Sequence, residues 1–387
     1  MNILFFTHHE LDWGSSKERI GGYLSFLTEK GHCYTVIHVA PNSLRKIILG
    51  KTSHPFFIRI LYSTLYNRLF RLSKFIRIIF LAKKFDLIFI QKVNVPKILL
   101  NILQWRNQNI IFDFDDLCFL LPSLNYKTFY EKLRLQWNMF QHPSVLKIFK
   151  HVIVGNPYLE NIAQKYLYKS KITMLPTPID SRIYTPPTLK PSSSLPIVGW
   201  IGSGENHLEH LKLLVKPFKQ VAQKHPFQFI LVGTLGSEKI KSLFQSPHYS
   251  FHSIEWLNTE ELVKTIQTFD IGVMPLIDNA EAKSKCGFKA LAYMACGVAP
   301  LVSPIGVNAT IIQDNTNGLW AKNEESWIQK LTLLLTNQEL RYRLGREGRK
   351  KIEQDYSLEK NAEIFVKILE VTFSPAKKNS FYSLNQR

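Results

Sequence analysis

Short apolar runs alternate with longer amphipathic segments along most of the chain. Six such runs occur before residue 178, and they read NILFFTHH, CYTVIHVA, FDLIFIQ, NIIFDFDD, HVIVGN and KITMLP. Five more occur after residue 195, and they read PIVGWIGS, FQFILVG, YSFHSIEW, FDIGVMPL and VAPLVSP. The segments between the runs are long enough for helices. This alternation predicts an α/β protein in which parallel sheets are covered by helices.

A segment rich in Pro and Ser, TPIDSRIYTPPTLKPSSSLP, interrupts this rhythm at residues 177–196. Because proline continues neither a helix nor a central strand, we interpret the segment as an interdomain linker. A chain of 387 residues also fits two domains better than one core. The predicted order is a Rossmann-like domain at 1–178, a linker at 179–196, a second Rossmann-like domain at 197–355, a helix at 356–373 that crosses back to the first domain, and a tail at 374–387. Two such domains facing each other across a cleft would hold ligands at the carboxyl ends of their strands.

The composition narrows the class of protein. The hydrophobic content of 45% is that of a globular protein. The sequence contains no run of 18 or more apolar residues, so we expect no membrane-spanning helix. The first residues, MNILFFTHHE, do not have the pattern of a signal peptide. The four cysteines have neither metal-binding nor disulfide spacing, so we expect no metal site and a location in the reducing cytoplasm.

Positive charge is concentrated in the first half of the chain. Residues 1–190 contain 26 lysines and arginines against 11 aspartates and glutamates, and so carry +15 of the formal net charge of +19. Residues 44–84 contain ten basic residues and no acidic one. This half of the protein is therefore expected to bind a negatively charged partner.

Residues 44–84 also show helical periodicity. A stripe of leucine and isoleucine, which includes Leu69, Leu72 and Ile76, lies on one side of the helical wheel, and Phe70 and Ile78 lie among the basic residues. One interpretation packs the stripe on the sheet and leaves the basic residues in water. The other predicts an amphipathic helix at an anionic membrane. We favour peripheral membrane association at the inner face of the cell membrane, through Arg68, Arg71, Lys74 and Arg77.

The segment KCGFKALAYMACG, residues 285–297, begins with two lysines and continues as a buried-looking helix. Lysines at a helix N-terminus work against the helix dipole, so an anionic ligand would compensate for them. Lys285 and Lys289 share a face if the helix begins there, and Gly287 removes bulk between them. Two ammonium groups at this position suit a diphosphate.

The first strand of the second half ends in a glycine-rich turn, GSG. The backbone amides of Gly202, Ser203 and Gly204 are candidates for phosphate contacts, although the turn could need glycine for its geometry alone. Trp256, at the end of a further strand of the same half, is a candidate substrate contact.

In the first half, the strand NIIFDFDD ends in Asp113, Asp115 and Asp116. Strand alternation puts Asp113 and Asp115 on one face. A metal site would need further oxygen ligands, and a nucleophilic aspartate would need a phosphatase-like context. We favour carboxylates that bind substrate hydroxyls or stabilise positive charge that develops on the substrate, over a purely structural role.

Polar residues near the first strand could contribute to the same site. His8 ends the strand, where a histidine could bind substrate or cap the loop. Gly14 would make a flexible turn near a bound substrate. Arg19 could pair with phosphate, or equally with Asp12 or Glu18.

These segments resemble those of GT-B-fold retaining glycosyltransferases of the family 4 type. KCGFKALAYMACGVAPLVSPIGVNATII is similar to the family's donor-binding segment, and SSKERIGGYLSFLTEKGH to its first loop and helix. FDFDD resembles a strand end of one branch of the family, and VIVGNPYLENIA, MLPTPIDSRIY, VGWIGS and FDIGVMPL also match. The resemblance covers residues 1–370, approximately. It implies the GT-B fold, a nucleotide-sugar donor as co-substrate, no cofactor, and metal-independent transfer with retention.

One departure concerns two glutamates that the family often carries in an E-x7-E pattern. Ser284 and Ala292 stand at the corresponding positions. Because the second glutamate usually holds the donor ribose in the family, Tyr293 or backbone groups would have to replace it. Lys289 matches a lysine that the related branch retains.

Three functions are compatible with the sequence. The first is a glycosyltransferase that extends a saccharide or lipid-linked acceptor in cell-envelope polysaccharide synthesis. The second is a non-catalytic GT-B protein that acts as a scaffold, which the missing glutamates motivate. The third is nucleic-acid binding, which net charge alone motivates, and we expect no nucleic-acid partner because no recognised module is present.

Overall fold

The computed structural model describes residues 1–11, 14–40, 67–119, 143–189, 193–234 and 236–373, in two compact units. The first unit comprises Met1–Thr177 and Asn361–Arg387, and the second comprises Pro178–Lys360. Each unit contains a six-stranded parallel sheet with helices on both faces. The predicted α/β fold with two Rossmann-like domains is confirmed.

The strands of the first unit are paired in the order β2-β1-β3-β4-β5-β6. Its strands are β1 (Asn2–His9), β2 (Cys33–Ala40), β3 (Leu87–Gln91), β4 (Ile110–Phe114), β5 (His151–Val154) and β6 (Ile172–Met174). Its helices are α1 (Gly14–Arg19), α2 (Leu24–Glu29), α3 (Asn67–Leu81), α4 (Lys97–Arg106) and α5 (Pro157–Gln164), with 3-10 turns at Gly21–Tyr23, Ala82–Lys84, Pro143–Ile148 and Lys169–Lys171.

The strands of the second unit are paired in the order β12-β11-β10-β7-β8-β9. Its strands are β7 (Ile197–Ile201), β8 (Gln228–Val232), β9 (Ser250–Ile254), β10 (Ile271–Met274), β11 (Ala299–Val302) and β12 (Leu319–Trp320). Its helices are α6 (Leu208–Ala222), α7 (Glu238–Phe244), α8 (Thr259–Thr268), α9 (Ala280–Ser284), α10 (Phe288–Ala295), α11 (Asn308–Ile311), α12 (Glu324–Thr336) and α13 (Gln338–Lys351), with a 3-10 turn at Glu205–His207 and a π-helical turn at Ile352–Tyr356. Helix α14 (Leu358–Phe373) follows.

The apolar runs become central strands because both faces of each sheet are covered. Every residue of β3, β4 and β7 is buried, which explains why these strands read as continuous apolar runs rather than as alternating ones. All eleven predicted runs form strands, and the structure adds β12, whose two residues are too few to make a pattern. In the second unit the chain adds β8 and β9 on one side of β7 and then β10, β11 and β12 on the other, so the strand order reverses between β7 and β10. Open α/β sheets bind ligands at such a switch point.

Local sequence signals determine where several helices begin. The side chain of Asn258 accepts a hydrogen bond from the amide of Glu261, and the Glu261 side chain accepts one from the amide of Asn258. This capping box satisfies two amides that the first turn of α8 would leave unpaired. Asn156 caps α5 through a single hydrogen bond, which its side chain accepts from the amide of Leu159, and Pro157 occupies the first helical position.

The last helix contributes to the core of the first unit. From Asn361 onward the chain belongs to that unit, and the ring of Phe365 stacks on that of Tyr23 with centroids 4.4 Å apart. Phe365 also contacts Phe5 and Phe89 of the central strands.

Helix α3 turns a different face to the sheet from the one that its leucine stripe indicates. Phe75 and Ile78 are buried, whereas Leu69, Leu72 and Ile76 are exposed. The interpretation that the stripe packs on the sheet is therefore wrong for these residues. The rest of the predicted basic segment, 44–66, and the side chain of Arg68 lie outside the described residues. Across the described ranges, no helix is long and apolar enough to cross a membrane.

Candidate functional site

The glycine-rich turn after β7 lies where the ends of two strands approach closely. A Cβ atom on Gly233 would lie 1.9 Å from the carbonyl oxygen of Gly202, so the backbones meet without side chains between them. The amide of Gly202 donates to the Val232 carbonyl at 3.0 Å, and that of Gly204 donates to the Gly233 carbonyl at 2.9 Å. Both glycine amides are thus used within the protein, which corrects the expectation that they contact phosphate.

The turn instead makes room for Lys289, in the first turn of α10. A Cβ atom on Gly202, whose φ of 138° favours glycine, would lie 2.7 Å from Cε of Lys289. The ammonium group lies 5.2 Å from the centroid of the buried Trp200 ring, within cation–π range. Gly202 therefore allows the lysine side chain to lie across the end of β7.

The ammonium group of Lys289 donates a hydrogen bond to His207, whose imidazole is neutral. Its Nδ1 lies 2.8 Å from the Ser203 carbonyl oxygen and its Nε2 lies 3.2 Å from Nζ of Lys289. Since a carbonyl only accepts, Nδ1 carries the proton and Nε2 accepts from the ammonium. Burial, together with the charges of Lys289 and Lys285, lowers the pKa of His207 to about 2. His207 therefore adds no charge of its own beside the lysine, and it accepts one of the three N–H donors of Lys289.

Lys285 belongs to a different segment from Lys289, contrary to the prediction that one helix face carries both. Helix α9 ends at Ser284, Lys285 is extended, and Gly287 at φ 74° precedes α10. A Cβ atom on Gly287 would lie 2.5 Å from Cδ1 of Ile311, so both conformation and space require glycine here. Nζ of Lys285 lies 3.1 Å from Oε1 of Glu281.

The two family glutamate positions are closed to a ligand. Ser284 is buried and its hydroxyl donates to the Glu281 carbonyl at 2.7 Å. Ala292 is fully buried on the core side of α10. Tyr293 is also fully buried, and its hydroxyl accepts from the Ile201 amide at 3.1 Å. This placement does not fit the expected contact of Tyr293 with a donor ribose.

Two further residues border the same edge of the sheet. Trp256 is 40% exposed, and its ring lies 3.5 Å from the position that a Cβ atom on Gly233 would occupy. His210, on α6, accepts a hydrogen bond at Nδ1 from the amide of Ile277 at 3.0 Å, which ties the helix to the segment after β10. We call the group formed by Gly202–Gly204, His207, Lys285 and Lys289 the lysine–glycine site. Sequence reasoning missed His207 and Trp200, because only their contact with Lys289 indicates a role.

The three aspartates at the end of β4 in the first unit contact two different basic residues. Asp113 is buried with Arg19, whose Nε donates to Oδ1 and Oδ2 at 3.1 and 2.9 Å. Nη1 of Arg19 donates to the Leu175 carbonyl at 3.0 Å and to Oγ1 of Thr177 at 3.3 Å. Burial raises the pKa of the Asp113 carboxyl, and the charge of Arg19 counteracts part of that rise. This burial fits neither the predicted contact of Asp113 with a substrate nor that of Arg19 with phosphate, Asp12 or Glu18.

Asp115 and Asp116 instead face Lys92. Nζ of Lys92 lies 3.5 Å from Oδ1 of Asp115 and 2.8 Å from Oδ2 of Asp116. Asp115 is buried, whereas Asp116 is partly exposed. Lys92 has a φ of 54°, a left-handed conformation that non-glycine residues adopt at an energetic cost and that concentrates at functional sites. We call Lys92, Asp115 and Asp116 the carboxylate cluster.

Residues after β1 border the carboxyl end of the same sheet. His8 is partly buried, and its ring packs edge-on against that of His9 with centroids 4.4 Å apart. Gly14 has a φ of 54° and begins α1. The hydroxyl of Ser16 donates to Oε1 of Gln91 at 2.8 Å, which joins α1 to β3. The structure thus places His8, Gly14 and Ser16 at the same carboxyl end of the sheet as the carboxylate cluster.

The second unit matches a known protein family. Residues 195–337 match the family described as Glycosyl transferases group 1, a range that contains the whole lysine–glycine site. No curated protein matches the chain at a significant level.

The whole chain is similar in structure to solved proteins of low sequence identity. A glycosyltransferase from Rickettsia africae has a TM-score of 0.68 at 15% identity, with 97% of this chain and 99% of that chain covered. Sucrose-phosphate synthase from Thermosynechococcus elongatus has a TM-score of 0.67 at 15% identity, with coverage of 96% and 99%. HepE from Anabaena, solved in complex with UDP and glucose, has a TM-score of 0.64 at 13% identity, with coverage of 96% and 99%. The chain therefore has the GT-B fold of glycosyltransferases, and its second unit carries a glycosyl transferases group 1 domain.

Proposed function

We propose that this protein is a retaining glycosyltransferase of the family 4 type, which transfers a sugar from a nucleotide-diphosphate sugar to a saccharide or lipid-linked acceptor in cell-envelope polysaccharide synthesis. The observation that carries the proposal is the ammonium group of Lys289, held by neutral His207 at the end of β7 and beside the switch point of the sheet. A fixed positive charge there would stabilise the departing diphosphate in the transition state.

The surroundings of Lys289 support a phosphate ligand. Lys285 adds a second positive charge close enough to affect the pKa of His207. His207 itself stays uncharged, so it orients the ammonium without neutralising it. The group 1 domain covers these residues, and the HepE structures contain UDP and UDP-glucose.

We assign the carboxylate cluster of the first unit to the acceptor. Asp116 is partly exposed and Lys92 holds both carboxylates at the carboxyl end of β4. Such carboxylates can accept hydrogen bonds from sugar hydroxyls. Transfer in this proposal needs no metal, since the positive charge that a diphosphate requires comes from lysine.

A nucleotide screen tests the proposal. We expect one of UDP, GDP, ADP, CMP and dTDP to raise the melting temperature, because a ligand at 100 times its dissociation constant adds about 2.7 kcal/mol to stability. Lys289→Ala should abolish the shift. Lys283→Ala is the matched control, since it removes a partly exposed lysine that pairs with Asp278.

The nucleotide that binds then directs the search for the donor sugar, and NMR of the product would give its anomeric configuration. Inversion of configuration would contradict the retaining mechanism. If no nucleotide shifts a protein that melts cooperatively, the alternative of a non-catalytic GT-B scaffold is favoured. That alternative is supported by the buried Ser284 and Ala292, which cannot replace the family's glutamates.

A further inference from the structure

Two neighbouring helices of the first unit expose an unusual concentration of large apolar side chains. Nineteen large apolar side chains are exposed in the described part of the chain, and seven of them lie on α3 and α4. Three of these are more than two-thirds exposed, namely Phe80 at 70%, Ile98 at 71% and Trp105 at 77%. The other four are Leu69, Leu72, Ile76 and Ile102. Clustering of this kind marks an interaction surface, whereas single exposed apolar residues do not.

The exposed side chains lie on two helices that contact each other near the C-terminal ends of both. Nζ of Lys83, just after α3, lies 5.8 Å from the centroid of the Trp105 ring on α4. The side chain of Asn107, just after α4, donates to the Ala82 carbonyl at 3.0 Å and to the Phe85 carbonyl at 2.8 Å. We call α3, α4 and Lys83–Lys84 the two-helix surface.

Both helices also have a separate buried face, so the exposed residues are not needed for the core. Phe75 and Ile78 of α3 pack with Leu100 and Leu103 of α4 in the core that covers this face of the sheet. A helix that is apolar on its core face and again on its outer face has a second apolar environment to contact.

The charge of the surface is of one sign. The sequences of α3, NRLFRLSKFIRIIFL, and α4, KILLNILQWR, contain no acidic residue. Arg77 and Lys97 are exposed, as are Lys83 and Lys84 in the 3-10 turn after α3. Lys74 lies over the ring of Phe70 at 4.7 Å, so its stem follows the apolar surface while its charge stays at the edge.

We propose that the two-helix surface binds the interface of an anionic lipid bilayer. Trp105, Phe80 and the aliphatic residues enter the boundary between headgroups and acyl chains, and the lysines and arginines contact lipid phosphates. The aliphatic residues decide against nucleic acid, because a phosphate backbone offers no apolar partner for leucine and isoleucine. Aromatic residues and lysines at the edge of an apolar patch match the headgroup region instead.

Vesicle sedimentation tests this inference, and it needs no nucleotide, so it is independent of the proposed enzymatic activity. We expect the full-length protein to bind vesicles of phosphatidylcholine with phosphatidylglycerol at least about tenfold more strongly than vesicles of phosphatidylcholine alone. Arg77→Glu with Lys83→Glu should weaken binding to the anionic vesicles by about tenfold or more. Lys219→Glu with Lys224→Glu makes the same change of charge on exposed residues of the second unit and should have no such effect.

A second pair of variants tests the apolar contribution. Trp105→Ser should weaken vesicle binding, whereas Tyr168→Ser, which removes another highly exposed aromatic ring of the first unit, should not. Circular dichroism melting confirms that each variant is folded. Equal binding by all variants, or no binding by the wild type, overturns the proposal. Displacement of the protein from vesicles by single-stranded RNA at physiological salt also overturns it, in favour of nucleic-acid binding.

Discussion

The contact between His207 and Lys289 joins an uncharged acceptor to a charged donor. A carboxylate in place of His207 would neutralise the lysine and compete with an anionic ligand for it. The imidazole avoids this, since its pKa of about 2 keeps it neutral at any physiological pH. The Ser203 carbonyl fixes the tautomer in which Nε2 is the acceptor. His207 is therefore a positioning residue for Lys289.

Two substitutions at His207 separate its two hydrogen bonds. The amide oxygen of His207→Gln can replace Nε2 as the acceptor for Lys289, whereas the amide NH2 of His207→Asn can only replace Nδ1–H as the donor to Ser203. A hydrogen bond to a charged group contributes about 1.5–3 kcal/mol, so we expect His207→Asn to weaken binding of the nucleotide found in the screen by about tenfold or more. His207→Gln should bind more tightly than His207→Asn. Calorimetric titration measures both, and equal affinities would show that the contact with Lys289 does not matter for binding.

At the scale of elements, the turn from β7 into α6 determines where the lysine side chain can lie. Gly202 and Gly233 let two strand ends approach, and Gly287 begins α10 with a backbone conformation that other residues rarely adopt. The glycines thus act through close packing and not through their amides. Helix α3 is a case in which the element was predicted but its packing was not. Its apolar residues surround most of the helix, so the sequence pattern does not select the face that packs.

Gly202→Ala is expected to weaken nucleotide binding through Lys289. The new methyl group would lie 2.7 Å from Cε of Lys289 and would displace the side chain. Gly236→Ala is the matched control, since Gly236 also has a positive φ, of 75°, but a Cβ atom there has no neighbour within 4 Å. Both variants should lose about 1 kcal/mol or more of stability from backbone strain, and only Gly202→Ala should lose affinity as well. The two effects are measured by thermal melting and nucleotide titration, and a loss of affinity in both variants would refute the role of Gly202.

At the scale of the whole molecule, the two units contain histidines that the fold keeps neutral. Burial lowers the pKa of His210 in the second unit, and two further histidines show larger shifts. Burial lowers the pKa of His151, in the first unit, to about 4, and burial lowers that of His207, in the second unit, to about 2. Both values lie below the pKa of about 6.5 that a histidine has in the unfolded chain. Below about pH 6.5 the unfolded state therefore binds more protons than the folded state. Each histidine therefore costs the folded state no stability above about pH 6.5. Below that pH, the free energy of unfolding decreases as the pH falls toward the folded pKa of the histidine.

We therefore expect the protein to lose stability between pH 7 and pH 5. Each of these histidines contributes up to about 1.4 kcal/mol per pH unit within its window. His207→Gln removes one titrating group, so its melting temperature should fall less than that of the wild type over this range. Calorimetric melting at the two pH values makes the comparison. An identical fall in both proteins would mean that His207 is not held neutral by the fold.

The sequence by itself determined the elements and their type. Apolar runs predicted eleven of the twelve strands in the described residues, because this pattern involves residues that are neighbours along the chain. It also made Lys289 a candidate ligand contact, since a lysine at the start of a buried helix favours an anionic partner.

Only the tertiary structure decided which polar residues meet. Arg19 and Asp113 are 94 residues apart, and His207 and Lys289 are 82 residues apart, so strand order rather than local pattern brings them together. This order buries Asp113 with Arg19, leaves Asp115 and Asp116 with Lys92, and encloses Tyr293 in the core. It also decides which apolar side chains of α3 and α4 the core accepts, and therefore which ones remain for a partner. Hydrophobic periodicity records that a face is apolar, but only packing against the sheet determines which apolar face is buried.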